Sequence, residues 1–385
     1  MSLKERINAL DKQGPEPQRL VYEKYGIISN PFPSAAQTSG HPRMPTDADG
    51  NINNEIEQFY KDEKRKSHVI VITASQGVGK TNILNEYERQ LREAFESRGF
   101  FIIRYIADPE PSFDPLIRII FDALGEDHLK KIANLLAKKS DDDVKCLFQN
   151  LRSVDMRSML SSLREAAADQ SKLDKYTEYA LKWLSGLPVI KEYRENLKIR
   201  FRLDSVESKT QALRDLVIAS SLSKTLQGIF LLLDEMEKWG SLISGAKLIR
   251  YLSALRALID ALPENLFLMI ALAPDALERY KEILPALRGR LKNEAELKPL
   301  MNLGDAIKLY KFYLDKAKEL ADIEAKEKSW TGGDYPIVSN EKAERIFQSF
   351  KRIPVQGVRQ RDFLNELHQE AQNMINVITQ QKSNL

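Results

Sequence analysis

The chain has 385 residues, enough for two or three domains, and its 43% hydrophobic and 29% charged content is that of a globular protein. A net charge of +3, from 58 basic and 55 acidic side chains, is too small to imply nucleic acid or membrane by itself, so any basic patch must be local. The single cysteine, Cys146, excludes an internal disulfide framework and suits a reducing cytoplasm; in "DVKCLF" it reads as a buried, inert thiol.

The histidines His41, His68, His128 and His368 are too scattered for a zinc site. No apolar stretch reaches the ~18 residues of a membrane helix, and the N-terminus does not read as a signal peptide. Residues 1–26 read as one or two short polar helices broken at "GPEP". The Pro-, Gly-, Ser- and Asp-rich stretch that follows reads as irregular chain. "NNEIEQFYKDEKRK" (53–66) places Ile56, Phe59 and Tyr60 at helical spacing, with Lys64, Arg65 and Lys66 as a solvated helix end.

Four apolar runs of strand length come next: "HVIVITA" (68–74), "FFIIRYIA" (100–107), "GIFLLLDE" (228–235) and "LFLMIALA" (266–273). Continuous rather than alternating apolarity implies burial on both faces, as in a parallel sheet covered by helices. Helices expected at 80–97, 245–262 and 275–287 complete a β-α-β rhythm, and "AELKPL" (295–300) offers a short fifth strand. The interval 113–226 is too long for one crossover and reads as an all-helical insertion. Beyond residue 303, three amphipathic helices form a C-terminal helical domain, interrupted by a polar "SWTGGDYP" turn.

"VIVITASQGVGKTNIL" (69–84) carries the chemistry. Backbone N–H groups of a glycine-rich strand-to-helix turn wrap phosphates, and the helix start adds positive potential. Ser75, Gln76, Gly77, Val78, Gly79, Lys80, Thr81 and Asn82 form the candidate nucleotide loop. Lys80 would face the β and γ phosphates of ATP, and the Thr81 hydroxyl would help to hold Mg²⁺. The full loop pattern has a glycine where this chain has Ala74, a position with no side-chain role toward phosphate. The second half of such a site is "FLLLDE": Asp234 would serve the metal, and Glu235 would activate the attacking water as general base.

With these motifs in place, the chain resembles the AAA+ ATPases, and within them the origin-recognition branch. The resemblance implies an α/β parallel-sheet P-loop domain with a large helical insertion and a C-terminal all-α lid. It also implies Mg-dependent ATP hydrolysis in a homo-oligomer with ATP at the interfaces. "EILPALRGRLK" is similar to the segment carrying the arginine finger, so Arg288 and Arg290 are its candidates. Arg359, after Gly357, matches the lid arginine that senses the γ-phosphate. "NPF" (30–32) resembles the segment leading into the core, with Ile27 and Ile28 as apolar walls near the adenine. "YALKWLSGLP", "FLLLDEMEKW" and "LSALRALIDALPENLFLMIAL" resemble P-loop ATPases of BREX-type phage-defence loci. The chain departs from the AAA+ pattern at "IALAPD": Ala271 and Ala273 stand where a polar side chain usually positions the lytic water, which implies slow turnover.

The expected domains are an N-terminal extension (1–52), the ATPase domain (53–302, insertion about 113–226) and the lid (303–385). "KEYRENLKIRFR" (191–202) gathers Lys191, Arg194, Lys198, Arg200 and Arg202 around Tyr193 and Phe201, either as a DNA contact or as a solvated helix face. Trp183 and Trp239 read as packing residues, and "SDDDVK" (140–145) as a helix cap. Two functions stay open: an ATP-hydrolysing assembly factor acting on DNA or a protein client, and a nucleotide-gated interaction module that hydrolyses little. Neither involves a membrane.

Overall fold

A computed structural model describes residues 21–37, 40–107, 112–239, 245–328, 336–350 and 357–383. "GPEP" and nearly all of "SWTGGDYP" lie outside them, as does the side chain of Trp239. By contacts the chain divides into two units, Asp47–Thr73 with Ile83–Glu296, and Met1–Thr46 with Ala74–Asn82 and Leu297–Leu385.

The larger unit begins with α1 (Asp47–Lys61) and β1 (His68–Thr73). The helix α2 (Lys80–Phe95) leads to β2 (Phe100–Ile106). The insertion follows as α3 (Phe113–Ala137), α4 (Asp141–Gln149), α5 (Val154–Ala166), α6 (Gln170–Leu184), α7 (Lys191–Leu197) and α8 (Val206–Leu222). The unit closes with β3 (Gly228–Asp234), α9 (Gly245–Ala261), β4 (Leu266–Leu272), α10 (Pro274–Ile283) and β5 (Glu294–Glu296). The five strands are parallel in the order β2-β3-β4-β1-β5.

Side chains alternate across each strand, and both sheet faces are buried. Val69, Val71, Ile103, Tyr105, Leu231, Leu233, Leu268 and Ile270 join one core with Trp183, Met159 and Leu213 of the insertion. On the opposite face Phe59 of α1 meets Phe230 and Phe267 edge-on, with ring centroids 5.6 and 5.5 Å apart. The insertion is therefore built onto the sheet rather than hung from it.

Five of its six helices start where the sequence supplies caps, the exception being α7 after Ile190. Ser112, Ser140, Ser153, Asp169 and Ser205 each accept a backbone N–H of the first turn. The three aspartates of "SDDDVK" lie in the first turn of α4, where negative charge meets the helix N-terminus. No group of three or more His, Cys, Asp or Glu among the described residues is placed to hold a metal.

Three expectations are corrected. Cys146 is exposed rather than buried, because Val144 and Leu147 take the inward face of α4. The helix expected over 53–66 runs Asp47–Lys61: Asp47 and Asp49 favour its N-terminus, and the Asp62 carboxylate then takes the N–H groups of Lys64 and Lys66 into a turn. The fifth strand stops at Glu296, short of Pro299, which has no N–H to give a ladder; Leu300 instead pairs with Val358 as an isolated bridge.

The smaller unit centres on α11 (Leu303–Lys328), α12 (Asn340–Phe350) and α13 (Gln360–Ser383). Tyr310, Tyr313, Phe347, Phe363 and Leu367 form its core with Ile27 and Phe32 from the N-terminal segment. Asn30 does two jobs there: its Oδ1 accepts the Phe32 N–H at 3.1 Å, and its Nδ2 donates to the His368 carbonyl at 2.9 Å. "NPF" is thus a turn tied to α13, with Phe32 stacked on Tyr310 at 5.9 Å. No helix among the described residues is long and apolar enough to cross a membrane.

Candidate nucleotide site

The loop of the smaller unit follows the last residue of β1. Ala74 is buried and Ser75 and Gln76 are exposed, while Val78 turns inward at 2% exposure. Gly77 (φ 82°) and Gly79 (φ 112°) occupy the left-handed region, which side chains other than glycine rarely enter. Thr81 and Asn82 are half-buried in the first turn of α2. Lys80, the first residue of that helix, donates from Nζ to the Ala74 carbonyl at 2.9 Å. Ala74 therefore contributes through its backbone, which any small residue supplies.

The same unit sets the start of α13 against this loop. The Arg361 N–H donates to the Gly77 carbonyl at 3.1 Å. A Cβ on Gly77 would lie 3.5 Å from Arg359 Cδ. Arg359, matched by resemblance to a lid arginine, thus runs beside the loop glycine. Ile28 lines a cavity of about 160 Å³ with Phe32, His41, Tyr313 and Lys316, whereas Ile27 is packed in the core.

In the larger unit, β3 ends at Asp234, which is 1% exposed. The parallel arrangement brings the C-terminal ends of β3 and β1 to one edge of the sheet with β4 between them, the edge where ligands of open α/β sheets gather. Asp234 Oδ1 accepts the Glu235 N–H at 2.9 Å, and Oδ2 accepts from Arg104 Nη2 at 2.7 Å. Glu235 has φ 58°, a left-handed backbone that is uncommon for a non-glycine residue and concentrates at functional turns.

Arg104 is the residue that the sequence reading missed. It comes from β2, and its Nε and Nη1 are buried without a hydrogen-bond partner among the described residues. Burial pulls the guanidinium below its ordinary value, while Asp234, Glu88 and Glu235 pull it back up. A lone charge inside the apolar run "FFIIRYIA" was the available signal, since arginine is rarely buried unless paired.

Arg288 and Arg290 sit differently. Arg290 is held by Asp260 through Nη2 at 2.5 Å and Nε at 2.7 Å, and its Nη1 donates to the Ala286 carbonyl. Arg288 is exposed. At the end of β4, Ala273 caps α10 without a side-chain hydrogen bond, so this corner offers no polar group before Asp275. The Thr81 hydroxyl in the smaller unit and the Asp234 carboxylate in the larger are each hard oxygen donors, the kind that Mg²⁺ takes.

Residues 118–374 match the family model of the BREX system ATP-binding protein BrxC/D, which is more than half of the chain. The chain belongs to this family. That family is one of ATP-binding proteins, and the chain has the α/β fold with a parallel sheet that was expected. The matched span takes in most of the insertion, Asp234 and Arg359, and it begins after the glycine turn at Gly77–Gly79. The ORC2 protein of Aeropyrum pernix, solved in ADPNP–ADP complexes, is similar at 12% identity and a TM-score of 0.40, over 88% of this chain and 72% of that one. No curated protein matches the chain in sequence.

Proposed function

We propose that the protein is a Mg-dependent ATPase working as a nucleotide switch in the BREX system. The carrying observation is the loop itself: two glycines at positive φ between a buried strand and a helix that opens on Lys80. Ser75 to Asn82 would wrap the phosphates, and Thr81 and Asp234 would hold the metal, which neutralises charge on the β and γ phosphates when bound. Glu235 would take the proton of the attacking water, and Arg359 would respond to the γ-phosphate. Ile28 would serve as an apolar wall for the base.

Of the two finger candidates, Arg288 is the better placed, since Arg290 is already engaged by Asp260. In AAA+ assemblies such an arginine serves a neighbour's nucleotide, so the active form would be a head-to-tail homo-oligomer, in the cytoplasm, acting on DNA or on a protein client. A second reading is favoured by Ala273: with no polar side chain at the end of β4 to orient water, the protein would bind ATP, gate an interaction and turn over slowly.

Single-turnover hydrolysis of ATP, with and without DNA, separates these readings. Mixing tests the shared site: Arg288→Ala/Arg290→Ala and Lys80→Ala chains, each inactive alone, should recover activity together. No recovery at any ratio excludes the shared-site model.

A further inference from the structure

The segment Lys198–Leu203 of the insertion presents one aromatic ring to solvent on a backbone fixed from both sides. Phe201 is 73% exposed, the most exposed of the large hydrophobic residues described. Yet its N–H donates to Asp155 Oδ2 at 3.0 Å and its carbonyl accepts from Trp183 Nε1 at 2.9 Å. The neighbouring Arg200 N–H donates to Asp155 Oδ1 at 3.1 Å. Asp155 and Trp183 are themselves buried, and Ile199 and Leu203 anchor the segment on either side. A solvent-facing phenylalanine on a loose loop would need no explanation. One held by a buried carboxylate and a buried indole is presented.

The cations around it divide into two groups. Lys198 is paired with Glu165 and Lys191 with Glu195. Arg194 and Arg200 are exposed, and among the described residues their guanidinium groups make no hydrogen bond or ion pair; Arg202 is also exposed and uses its Nε on the Gly186 carbonyl. The patch therefore offers an exposed π-face on a fixed backbone, with arginines on both sides of it in the chain. Those are the elements that grip unpaired bases: a ring to stack on and guanidinium groups for the adjoining phosphates. A duplex keeps its bases stacked on one another and offers no face to Phe201.

We propose that Phe201, with Arg194, Arg200 and Arg202, forms a binding surface for single-stranded nucleic acid. This surface does not depend on the nucleotide reading, and its test is run without nucleotide, so either can fail alone.

The experiment is fluorescence anisotropy of the full-length protein with labelled 20-residue oligothymidylate, oligouridylate and a DNA duplex, across a salt series. Wild type is expected to bind the single strands in a salt-dependent way and the duplex more weakly; the first two probes decide between DNA and RNA. Phe201→Leu, which keeps apolar area and loses the π-face, should weaken binding about tenfold, and Phe201→Trp should preserve it. Arg194→Ala/Arg200→Ala should lower the salt slope by up to about 1.4. Circular dichroism and thermal melting check that each variant folds. Absence of single-strand binding at low salt overturns the proposal. So does a Phe201→Leu protein that binds like wild type, the behaviour of an apolar protein-docking residue.

Discussion

Arg104 Nη2 lies 2.7 Å from Asp234 Oδ2, joining the middle of β2 to the last residue of β3 through side chains that are 11% and 2% exposed. Both charges are out of water, so each depends on the other. The pairing also constrains Asp234: one carboxylate oxygen holds the Glu235 N–H and the other holds Arg104, which fixes the carboxyl plane at the sheet edge.

Removing one partner strands the other. Arg104→Ala is expected to cost about 3–5 kcal/mol in urea unfolding, because a buried carboxylate is left uncompensated. The double variant Arg104→Met/Asp234→Leu should recover most of that loss, since an apolar pair of similar volume needs no compensation. If the single variant unfolds within 1 kcal/mol of wild type (roughly the worth of an exposed pair), the bridge does not carry this weight.

His128 supplies a pH dependence that belongs to the insertion. Its Nε2 meets Ser220 Oγ at 2.8 Å, and burial, helped by Lys131, pulls its pKa down to about 4. The unfolded chain takes up the proton near pH 6.5 and the folded chain does not, so this stability is complete above about pH 6.5 and is lost as pH falls toward 4. Between pH 7 and 4.5 the loss from this residue should be about 2–3 kcal/mol. In His128→Gln that part of the slope should vanish. Parallel stability curves for variant and wild type would show that His128 does not titrate in this way.

The sheet was legible because four buried strands are written as unbroken apolar runs, and a parallel sheet covered on both faces leaves little other use for them. The strand-to-helix turn was legible because its signal is local: Gly77 and Gly79 take positive φ just before the helix that opens on Lys80. Arg104 was not: its meaning depends on which strand lies beside β2, and the β2–β3 register that sets Ile106 opposite Asp234 is a tertiary fact. Phe201 was quoted only as one aromatic in a basic run, because its partners Asp155 and Trp183 lie 46 and 18 positions away. Cys146 was misread because "DVKCLF" gives no helical phase until Ser140 fixes where α4 begins.

Glu235→Gln should keep ATP affinity and suppress turnover, since the proposed general base is lost while Asp234 is untouched. Nucleotide binding and phosphate release are measured on the same preparation. Steady-state hydrolysis equal to wild type would move the base to another residue.

Arg359 runs beside Gly77, so its loss should be felt as coupling rather than folding. In Arg359→Ala, limited proteolysis of residues 303–385 should no longer distinguish ATP from ADP, with the melting temperature close to wild type. Wild-type chain with identical cleavage under ATP, ADP and no nucleotide would rule out that coupling at its source.

The reading rests most heavily on Lys80, whose ammonium lies in the loop against the Ala74 carbonyl. Its direct test is calorimetric titration of Mg-ATP into the full chain and into Lys80→Ala. Wild type should bind, and the variant should lose affinity by roughly 100-fold with its folding intact, because the charge proposed to face the phosphates is gone. A folded Lys80→Ala protein that binds ATP within a few-fold of wild type would contradict the assignment of this loop as the nucleotide site.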